Sequence, residues 1–362
     1  MALSPTFAST RHLQAGTHEV AQNEGGHLSS YSECQKHPGH LPFFSVNDFG
    51  VDALGNVPQG FCKEDVVSWV KSWAPLVVKI CSLFISEQRP PTWENQSPYP
   101  FADIRGQFVN HMGSGCVRVV LGPIEGLCFC YSCSKSGVKK NKYWEIQILT
   151  ARHVVFDDLE ANWCNIVCFD ERPDKNGTQI VRSCKVLDAD TEKDTCCLLC
   201  YTHSSDLAQN LKRLSDTRYE IDLRVAQNVK ERCSQLREED KSRPTFRTIK
   251  ELRDQRDETD AKIAQLLLDK TTYRLLVFVI SHPHGCAKRI TVGHHRGREK
   301  GCLTYKAATC PGSSGGAVLI LGLRVVSEAL WRKEWCGRFE SAPHSCALET
   351  GVGRSAAWLW DT

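Results

Sequence analysis

The sequence predicts a mostly β core that is interrupted by a long helical insertion, and two observations carry this prediction. Short apolar runs separated by turn-rich segments recur along much of the chain, which is typical of barrels and sandwiches. Between residues 205 and 270, apolar residues instead recur at steps of three or four among dense charges, which is typical of amphipathic helices. The expected fold class is therefore an all-β core with an N-terminal helix and an α-helical hairpin insertion.

The first part of the chain divides into two predicted regions. Residues 1–60 are rich in Gly, Ser, His, Pro and Asn without a sustained period, so we expect them to be disordered or loosely attached. A first β domain is predicted over 61–204, opening with a helix at 63–73 that ends before Ala74-Pro75. Its β-like runs are Leu76–Ile85, Gly115–Leu121, Leu127–Tyr131, Trp144–Leu149, Cys164–Phe169, Ile180–Val186 and Cys196–Tyr201.

The helical hairpin is predicted over 205–271, with its turn at Pro244. Its alternating charges indicate a solvated surface, and its leucine edges leave self-association as the alternative. A second β domain is predicted over 272–345, followed by a tail at 346–362. The runs of this domain are Tyr273–Ile280, Arg289–Val292, Ala317–Leu321 and Leu323–Val326.

Composition restricts the class of protein. The chain has 362 residues, 41% hydrophobic and 24% charged, with a formal net charge of +3, so neither a nucleic-acid nor a membrane partner is indicated. No stretch reaches the roughly 18 apolar residues that a membrane helix needs, and the first residues lack a signal-peptide pattern. The 19 cysteines are odd in number and scattered, which favours a reduced, cytoplasmic or otherwise intracellular protein.

The strongest local signal is the segment Pro311–Val318, in which glycines surround two serines before an apolar run. Backbone amides of Gly312 and Ser314 can point at one spot, where the oxyanion of a tetrahedral intermediate would lie. Gly315 and Gly316 let the chain bend sharply while a substrate backbone passes close by. Ser314 is therefore a candidate nucleophile, and a plain Gly/Ser loop is the alternative.

Two further residues complete a candidate proton-transfer chain. His153 follows the alternating strand at Trp144–Leu149, so its imidazole is expected at a strand end facing a cleft, as a general base requires. Asp194 opens an apolar strand, where it can stay ionised and accept a hydrogen bond from the Nδ1–H group of a histidine. Asp188 and Asp190, in the preceding polar turn, are the alternatives to Asp194, and His153 taken alone is equally an ordinary polar residue.

These segments occur in the order His, Asp, Ser, and the chain resembles the trypsin-like serine peptidases of the chymotrypsin fold, with the Deg/HtrA type nearest. The residues that carry the resemblance are Ala74–Ile80, Gly113–Gly115, Thr150–Val155, Asp190–Leu199, Val279–Gly285 and Gly312–Val318. The resemblance covers residues 74–204 and 272–330. It implies two antiparallel six-stranded β-barrels with an active site in the cleft between them.

The resemblance also implies a role for each matched residue. His153 would be the general base, Asp194 its partner and Ser314 the acylated nucleophile, while Gly312 and Ser314 would supply the oxyanion-hole amides. The reaction would be peptide-bond hydrolysis through an acyl-enzyme, with a protein or peptide substrate and no cofactor.

Four departures from the family pattern refine this expectation. Ser313 replaces the aspartate of digestive members, so activation by a newly cut N-terminus is not expected. Val154 replaces their cysteine after the histidine, in agreement with a reducing compartment. Ala308 replaces the acidic pocket residue of trypsin, so cleavage after Lys or Arg is not predicted. By analogy Ser327 and Ala329 flank the substrate, and no PDZ module is expected after the protease.

The run with Cys128, Cys130 and Cys133 leaves two interpretations open. Three thiols could hold zinc with a fourth ligand such as Cys164 or Cys168, but no partner pair with ligand spacing is adjacent. A cysteine-rich hairpin without metal is the alternative, so no metal site is predicted. Solvated loop positions are expected for four histidines, His282, His284, His294 and His295.

The predicted function is therefore that of a serine endopeptidase. One alternative is a protease-fold binding protein that keeps the triad-like residues without turnover. The other is a zinc-dependent interaction module built around the hairpin at Cys128–Cys133.

Overall fold

A computed structural model of the chain describes most of both predicted β domains. The described residues are 17–22, 31–57, 61–128, 130–138, 140–182, 184–241, 276–299, 302–321, 342–347 and 353–355. The strands are β1 (Thr17–His18), β2 (Ala21–Gln22), β3 (Phe44–Ser45), β4 (Val77–Ser82), β5 (His111–Glu125), β6 (Lys142–Ala151), β7 (Cys164–Cys168), β8 (Gln179–Arg182), β9 (Cys184–Asp190), β10 (Thr195–Thr202), β11 (Leu276–Ser281), β12 (Arg289–Glu299), β13 (Cys302–Lys306), β14 (Ala317–Ile320), β15 (Ala342–Ala347) and β16 (Gly353–Ser355). This mostly β content agrees with the predicted all-β core.

The first sheet follows the order β8-β7-β4-β5-β6-β10-β9, with β2 added beside β5. All its pairings are antiparallel, and alternate residues of β6 such as Ile146 and Ile148 are buried in the core. This alternation is the period-two pattern seen in the sequence. Among the described residues the path of this sheet is open.

The second sheet follows the order β1-β15-β14-β11-β12-β13-β16, with β3 beside β12. An additional pairing joins β15 to β16, so the path from β15 through β14, β11, β12 and β13 to β16 returns on itself as a ring of six strands. The core of the molecule runs through both sheets, with residues of β4, β6 and β11 in one apolar cluster. The predicted pair of complete barrels stays a prediction.

Helices in the described part of the chain accompany the sheets. They are α1 (Lys63–Trp73), α2 (Tyr131–Ser136), α3 (Asp158–Asn162) and α4 (Ser205–Lys241), with short 3-10 turns at Pro38–His40, Val51–Leu54, Ala74–Leu76, Ala102–Ile104 and Pro283–Gly285. Helix α1 has the predicted bounds. Helix α2 begins where the β-like run Leu127–Tyr131 was expected to end, because Cys130 caps it by accepting from the amide of Cys133.

Helix α4 corresponds to the first half of the predicted hairpin, and the second half lies outside the described residues. Its N-terminal part packs on α1, where the indole N–H groups of Trp69 and Trp73 donate to the buried carboxylate of Asp222 (2.8 and 3.2 Å). Arg218 pairs with the same carboxylate at 2.6 Å. Part of the leucine edge is therefore buried within the chain, and self-association through this region stays a prediction.

The N-terminal region differs from the expectation of a loosely attached segment. Residues 17–22 and 31–57 form strands of both sheets and contribute to the core. Phe49 is fully buried, with its ring 6.1 Å from that of Phe278. Burying such a side chain contributes about 1.5–3 kcal/mol to the stability of the fold and anchors this segment, which has no sequence periodicity.

Cysteine pairing adds one covalent link to the first sheet. Cys184 and Cys200 face each other across β9 and β10 and form a disulfide. The sequence assigned no pairing to either residue, and the predicted reducing compartment stays a prediction. In the part of the chain that the structure describes, no helix combines the length and the apolar character needed to cross a bilayer.

Candidate active site

Strand pairing in the first sheet brings His153 and Asp194 together. Strand β6 ends at Ala151 and β10 begins at Thr195, and these two residues are register partners. Asp194 lies just before β10 in a left-handed conformation (φ 50°), and its carbonyl accepts from the amide of Arg152. Both candidate side chains therefore leave the sheet at the same end.

The side chains of Asp194, His153 and Ser314 form a continuous chain of hydrogen bonds. Nδ1 of His153 lies 2.7 Å from Oδ2 of Asp194, and Nε2 lies 2.8 Å from Oγ of Ser314. A carboxylate only accepts, so Nδ1 donates, and Nε2 is left to accept from the serine hydroxyl. The other oxygen of Asp194 accepts from the backbone N–H of His153 at 3.0 Å, and all three residues are fully buried.

The loop that carries Ser314 depends on two glycines with positive φ. Gly312 has φ 93°, and a Cβ atom there would lie 2.4 Å from the carbonyl oxygen of His282. Gly315 has φ 82°, and its Cβ would lie 2.0 Å from the carbonyl oxygen of Ser114. A side chain at either position would strain the turn and push the loop away from its neighbours.

The two amides expected to bind an oxyanion converge on one oxygen. The N–H groups of Gly312 and Ser314 both donate to the backbone carbonyl of Glu19, at 2.7 and 3.1 Å. Sequence reasoning predicted that these two amides would point at one spot. It did not predict that a carbonyl from the N-terminal region would occupy that spot.

A buried ion pair fixes the backbone around His153, and no sequence pattern predicted it. The guanidinium of Arg89 contacts both carboxylate oxygens of Glu160 (2.6 and 2.8 Å) and also donates to the carbonyl of His153 at 3.0 Å. Burial alone would raise the pKa of Glu160, but the charge and hydrogen bonds of Arg89 hold it below its ordinary value. Arg89 therefore links helix α3 to the turn of the candidate base.

Ser114 connects the nucleophile loop to the first sheet. Its hydroxyl donates to the carbonyl of Gly312 (2.8 Å) and accepts from the amide of His282 (2.9 Å). Its own amide donates to the carbonyl of Ser314 at 2.7 Å. The resemblance included Gly113–Gly115 without a role for its serine, and in the structure Ser114 bonds both the loop of Ser314 and the turn at His282.

The remaining predicted residues lie in different places. Asp188 is exposed, and Asp190 accepts from the amide of Lys193 and pairs with its ammonium group. Ala308 is partly buried, and its carbonyl accepts from the hydroxyl of Thr291 at 2.8 Å. Two predicted pocket residues lie outside the described residues, Ser327 and Ala329.

The paired histidines of the second sheet differ from the expected solvated positions. His282 and His284 are buried, whereas His294 is exposed. Burial, together with the positive charges of Lys288 and Lys79, lowers the pKa of His282 well below its ordinary value. Proline-flanked histidines resemble a surface turn in sequence, but this turn docks between the sheets.

Two clusters of cysteine and histidine could hold a metal ion. The first consists of Cys128, Cys130, Cys133 and His203. The second consists of Cys34, His40, His284 and Cys310. Cys164 and Cys168, suggested by the sequence as fourth ligands of the first cluster, lie in the apolar core, and His203 stands in that position instead.

Comparisons with known proteins give distant structural neighbours. No family model and no curated protein matches the sequence. The serine endoprotease from Yersinia pestis is 14% identical with a TM-score of 0.35, over 83% of this chain and 63% of that one. The HtrA-type protease AlgW with a decapeptide is 14% identical with a TM-score of 0.35, over 80% and 61%.

A third neighbour is the Rv3671c protease from M. tuberculosis in its active form. It is 12% identical with a TM-score of 0.33, over 79% of this chain and 78% of that one. This chain spans less than two thirds of the Yersinia pestis and AlgW chains. The three chains are described as proteases, the first as a serine endoprotease and the second as an HtrA-type protease.

Proposed function

We propose that this protein is a serine endopeptidase that hydrolyses peptide bonds through an acyl-enzyme on Ser314. One observation carries the proposal: His153 joins the carboxylate of Asp194 to the hydroxyl of Ser314, while two loop amides converge on one carbonyl oxygen. A hydroxyl with a base, an orienting acid and a pair of oxyanion donors is what acyl transfer requires.

Acylation begins when Nε2 of His153 takes the hydroxyl proton of Ser314 and Oγ attacks the substrate carbonyl carbon. The resulting oxyanion is stabilised by the amides of Gly312 and Ser314, which are already aligned. Asp194 keeps Nδ1 protonated and stabilises the imidazolium. The proton then passes from Nε2 to the leaving amine as the C–N bond breaks.

Deacylation reverses the direction of proton transfer. A water molecule gives its proton to His153 and attacks the ester, and the proton returns to Oγ of Ser314 as the acid product leaves. Each proton movement uses the same nitrogen, so the two half-reactions need no rearrangement of the buried pair with Asp194.

The form of the cleft favours a protein or peptide substrate that is cut internally. Residues 17–22 cross the site as two short strands, with β2 pairing with β5 and β1 pairing with β15. An extended chain is therefore accommodated on both sides of the oxygen that the two amides bind. Such β-strand addition gives main-chain affinity on either side of a bond, as an endopeptidase needs.

Covalent labelling with a peptidyl phosphonate tests the proposal directly. We expect stoichiometric label on Ser314 in the full chain, located by peptide mass spectrometry, and none in Ser314→Ala. Peptide turnover should fall about a millionfold in that variant. Ser313→Ala is the matched control. The hydroxyl of Ser313 contacts that of Ser281 (3.1 Å), so the Ser313→Ala variant must still be labelled at Ser314.

The same experiment addresses the alternative of a binding protein without turnover. A chain that is neither labelled nor able to cleave any peptide of a mixed library would contradict the proposal. Label without turnover would place the defect in deacylation, and the bound acyl group would then be visible as a stable mass increase.

A further inference from the structure

A segment of the chain itself lies across the proposed catalytic groups. Ala21 and Gln22 pair with Met112 and His111 of the first sheet, whereas Thr17 and His18 pair with β15 of the second sheet. The intervening Glu19 places its carbonyl oxygen on the amides of Gly312 and Ser314. This is the place where the carbonyl of a scissile bond would lie.

The residues around this carbonyl also have the positions of bound substrate. The ring of His18 lies edge-on to that of His153, with 4.6 Å between centroids, and stacks on Trp93 at 5.1 Å. The amide of Val20 donates to the carbonyl of His18 at 3.1 Å, a tight turn centred on Glu19. That turn directs the Glu19 carbonyl away from both flanking strands.

The carboxylate of Glu19 is paired with a cation. Glu19 is 1% exposed, and its carboxylate forms a salt bridge with the ammonium group of Lys36. A buried carboxylate is costly unless it is paired, and the ammonium group of Lys36, itself partly exposed, would lose this pair with any neutral residue at the position of Glu19. Lys36 follows Glu19 in the chain, so hydrolysis between Glu19 and Val20 would leave it in the enzyme.

We propose that the Glu19–Val20 bond is hydrolysed by the protein's own site and that Lys36 makes glutamate the preferred residue on the amino side of the scissile bond. The proposal rests on the peptidase function proposed above. Oγ of Ser314 would bond to the carbonyl carbon of Glu19, and the proton held by His153 would go to the nitrogen of Val20 as that bond breaks. Water then releases a new carboxylate at Glu19 and restores the serine hydroxyl.

Intact mass and N-terminal sequencing of the full chain test the cleavage. We expect a product that begins at Val20 and forms at a rate independent of protein concentration, and none in Ser314→Ala. Losing a buried, paired charge slows such a step by about 100-fold, so Glu19→Ala should show that loss. Glu24→Ala, in the same N-terminal region, is the matched control and should keep the wild-type rate.

A charge exchange tests the role of Lys36. Glu19→Lys and Lys36→Glu should each slow self-cleavage about 100-fold, and the double variant should recover at least about tenfold. In trans, peptides with Glu at the cleaved position should exceed their Gln counterparts by at least about tenfold in kcat/KM, with the preference lost in Lys36→Ala. The exposed Lys212 provides the control variant Lys212→Ala.

Two outcomes separate this proposal from the proposed function. A chain that is labelled at Ser314 and cuts peptides, yet stays whole at Glu19 and shows no preference for Glu, overturns only the self-cleavage proposal. A chain without labelling and without peptide hydrolysis overturns both. Labelling also reports on each variant's fold, and Glu19→Lys should be labelled faster because its segment leaves the cleft.

A separate observation concerns the cluster of Cys128, Cys130, Cys133 and His203. Nε2 of His203 lies 3.5 Å from Sγ of Cys130 and 3.2 Å from Sγ of Cys133. A tetrahedral zinc site with Zn–S of about 2.3 Å and Zn–N of about 2.0 Å places sulfur and nitrogen roughly 3.5 Å apart. Nδ1 of His203 bonds the carbonyl of Lys142 at 2.9 Å, which leaves Nε2 free to ligate.

The second cluster, of Cys34, His40, His284 and Cys310, has similar distances between its ligand atoms. Sγ of Cys310 lies 3.6 Å from Sγ of Cys34 and 3.5 Å from Nε2 of His40, and His284 completes the set. This sulfur separation is far longer than a disulfide bond of about 2.05 Å and close to the roughly 3.8 Å of a tetrahedral site. His40 and His284 both adopt positive φ (48° and 55°), a strained conformation that is typical of functional positions.

We infer that both clusters bind Zn²⁺. Three cysteines with one histidine, and two with two, are the ligand sets of structural zinc sites, and mixed sulfur and nitrogen donors in tetrahedral array favour zinc over harder cations. Binding would release the thiol protons. In the second cluster zinc would tie the N-terminal region, between Cys34 and His40, to the loop that follows Cys310.

Metal analysis of the full chain with matched variants tests this inference. We expect two zinc ions per chain, one in Cys133→Ser, one in His40→Ala and two in the control Cys62→Ser, whose thiol is exposed. Cobalt replacement should give thiolate-to-metal absorption that weakens in each ligand variant. Absence of zinc and of that absorption, or zinc whose amount the variants do not change, would overturn the inference.

Discussion

The two sides of the candidate site are held in different ways. The side that carries His153 is fixed by groups of the first sheet and its helix, namely Asp194, Arg89 and Glu160. The side that carries Ser314 is completed by groups far away in the chain, including Ser114 and the carbonyl of Glu19. His153 is therefore oriented by the first sheet and its helix. The loop that carries Ser314 depends instead on contacts with distant parts of the chain.

Substitutions on the two sides should therefore differ in their effects on stability and rate. Substitutions around His153 break pairs of buried ionisable groups, so their effects on stability or rate are large. Substitutions around Ser314 remove neutral hydrogen bonds between the sheets, which contribute less individually. The N-terminal segment adds a contact that the proposed chemistry would itself remove by cutting it.

The largest expected effect is on Asp194. Asp194→Asn retains the oxygen that accepts from the His153 amide, but turns an amide N–H toward Nδ1, so the histidine must present a proton at Nε2 and cannot accept one from Ser314. We expect kcat to fall about 10⁴-fold with KM little changed. Steady-state peptide hydrolysis measures this, and a larger loss in the control Asp190→Asn would contradict the assignment.

Removing the buried cation on the same side should be the largest effect on stability. Arg89→Met leaves the carboxylate of Glu160 buried without its partner and is expected to lower the free energy of unfolding by about 3–5 kcal/mol. Urea unfolding measures the change. The double variant with Glu160→Met should recover much of the loss, and Lys193→Met, which breaks a partly exposed pair with Asp190, should cost below about 1 kcal/mol.

Sequence patterns predicted the residues of the candidate site, but they did not predict the contacts that hold His153 in place. His153, Asp194 and Ser314 lie beside strands whose local pattern is visible, and the order of the three motifs together with the resemblance to trypsin-like peptidases predicted their meeting. Arg89 and Glu160 are 71 positions apart and carry no shared pattern, since charged residues usually indicate surface. Only the packing of helix α3 shows that they are paired.

The N-terminal region shows the same limit more strongly. Glu19 lies nearly 300 positions before the amides that it contacts, in a stretch without period or turn chemistry. Its strands have two residues each, which is too short for alternation to be recognised. His203 was missed for a related reason, because a zinc ligand from a neighbouring strand leaves no spacing pattern beside Cys128–Cys133.

A buried histidine should make the stability of the first sheet depend on pH. Burial, and then the positive charge of Arg89, lower the pKa of His111 to about 4 from 6.5, while Glu160 and the carbonyls of Val154 and Val109 act in the opposite direction. The unfolded chain therefore binds this proton more readily. The stabilisation is complete above pH 6.5 and is lost as the pH falls toward 4, by roughly 3 kcal/mol in total.

The comparison of wild type with His111→Gln isolates that contribution. The free energy of unfolding should fall more steeply between pH 7 and pH 4.5 in the wild type than in His111→Gln. Subtracting one pH dependence from the other removes the effects of other titrating groups, including any loss of metal at low pH. Equal pH slopes in the two proteins would show that the proton on His111 does not contribute.

The smallest expected effect concerns the contact that joins the two sides. Ser114→Ala removes one fully buried hydroxyl and leaves the carbonyl of Gly312 and the amide of His282 without that partner, which should lower the free energy of unfolding by about 1–3 kcal/mol. Because Gly312 is one of the two proposed oxyanion donors, displacement of its loop should lower kcat in the same variant and slow phosphonate labelling. Ser313→Ala, which loses only the contact with Ser281 and the Cys310 amide, is the control on the same loop. If Ser114→Ala changed stability without changing kcat, the nucleophile loop would be held by its own turn and not by docking onto the first sheet.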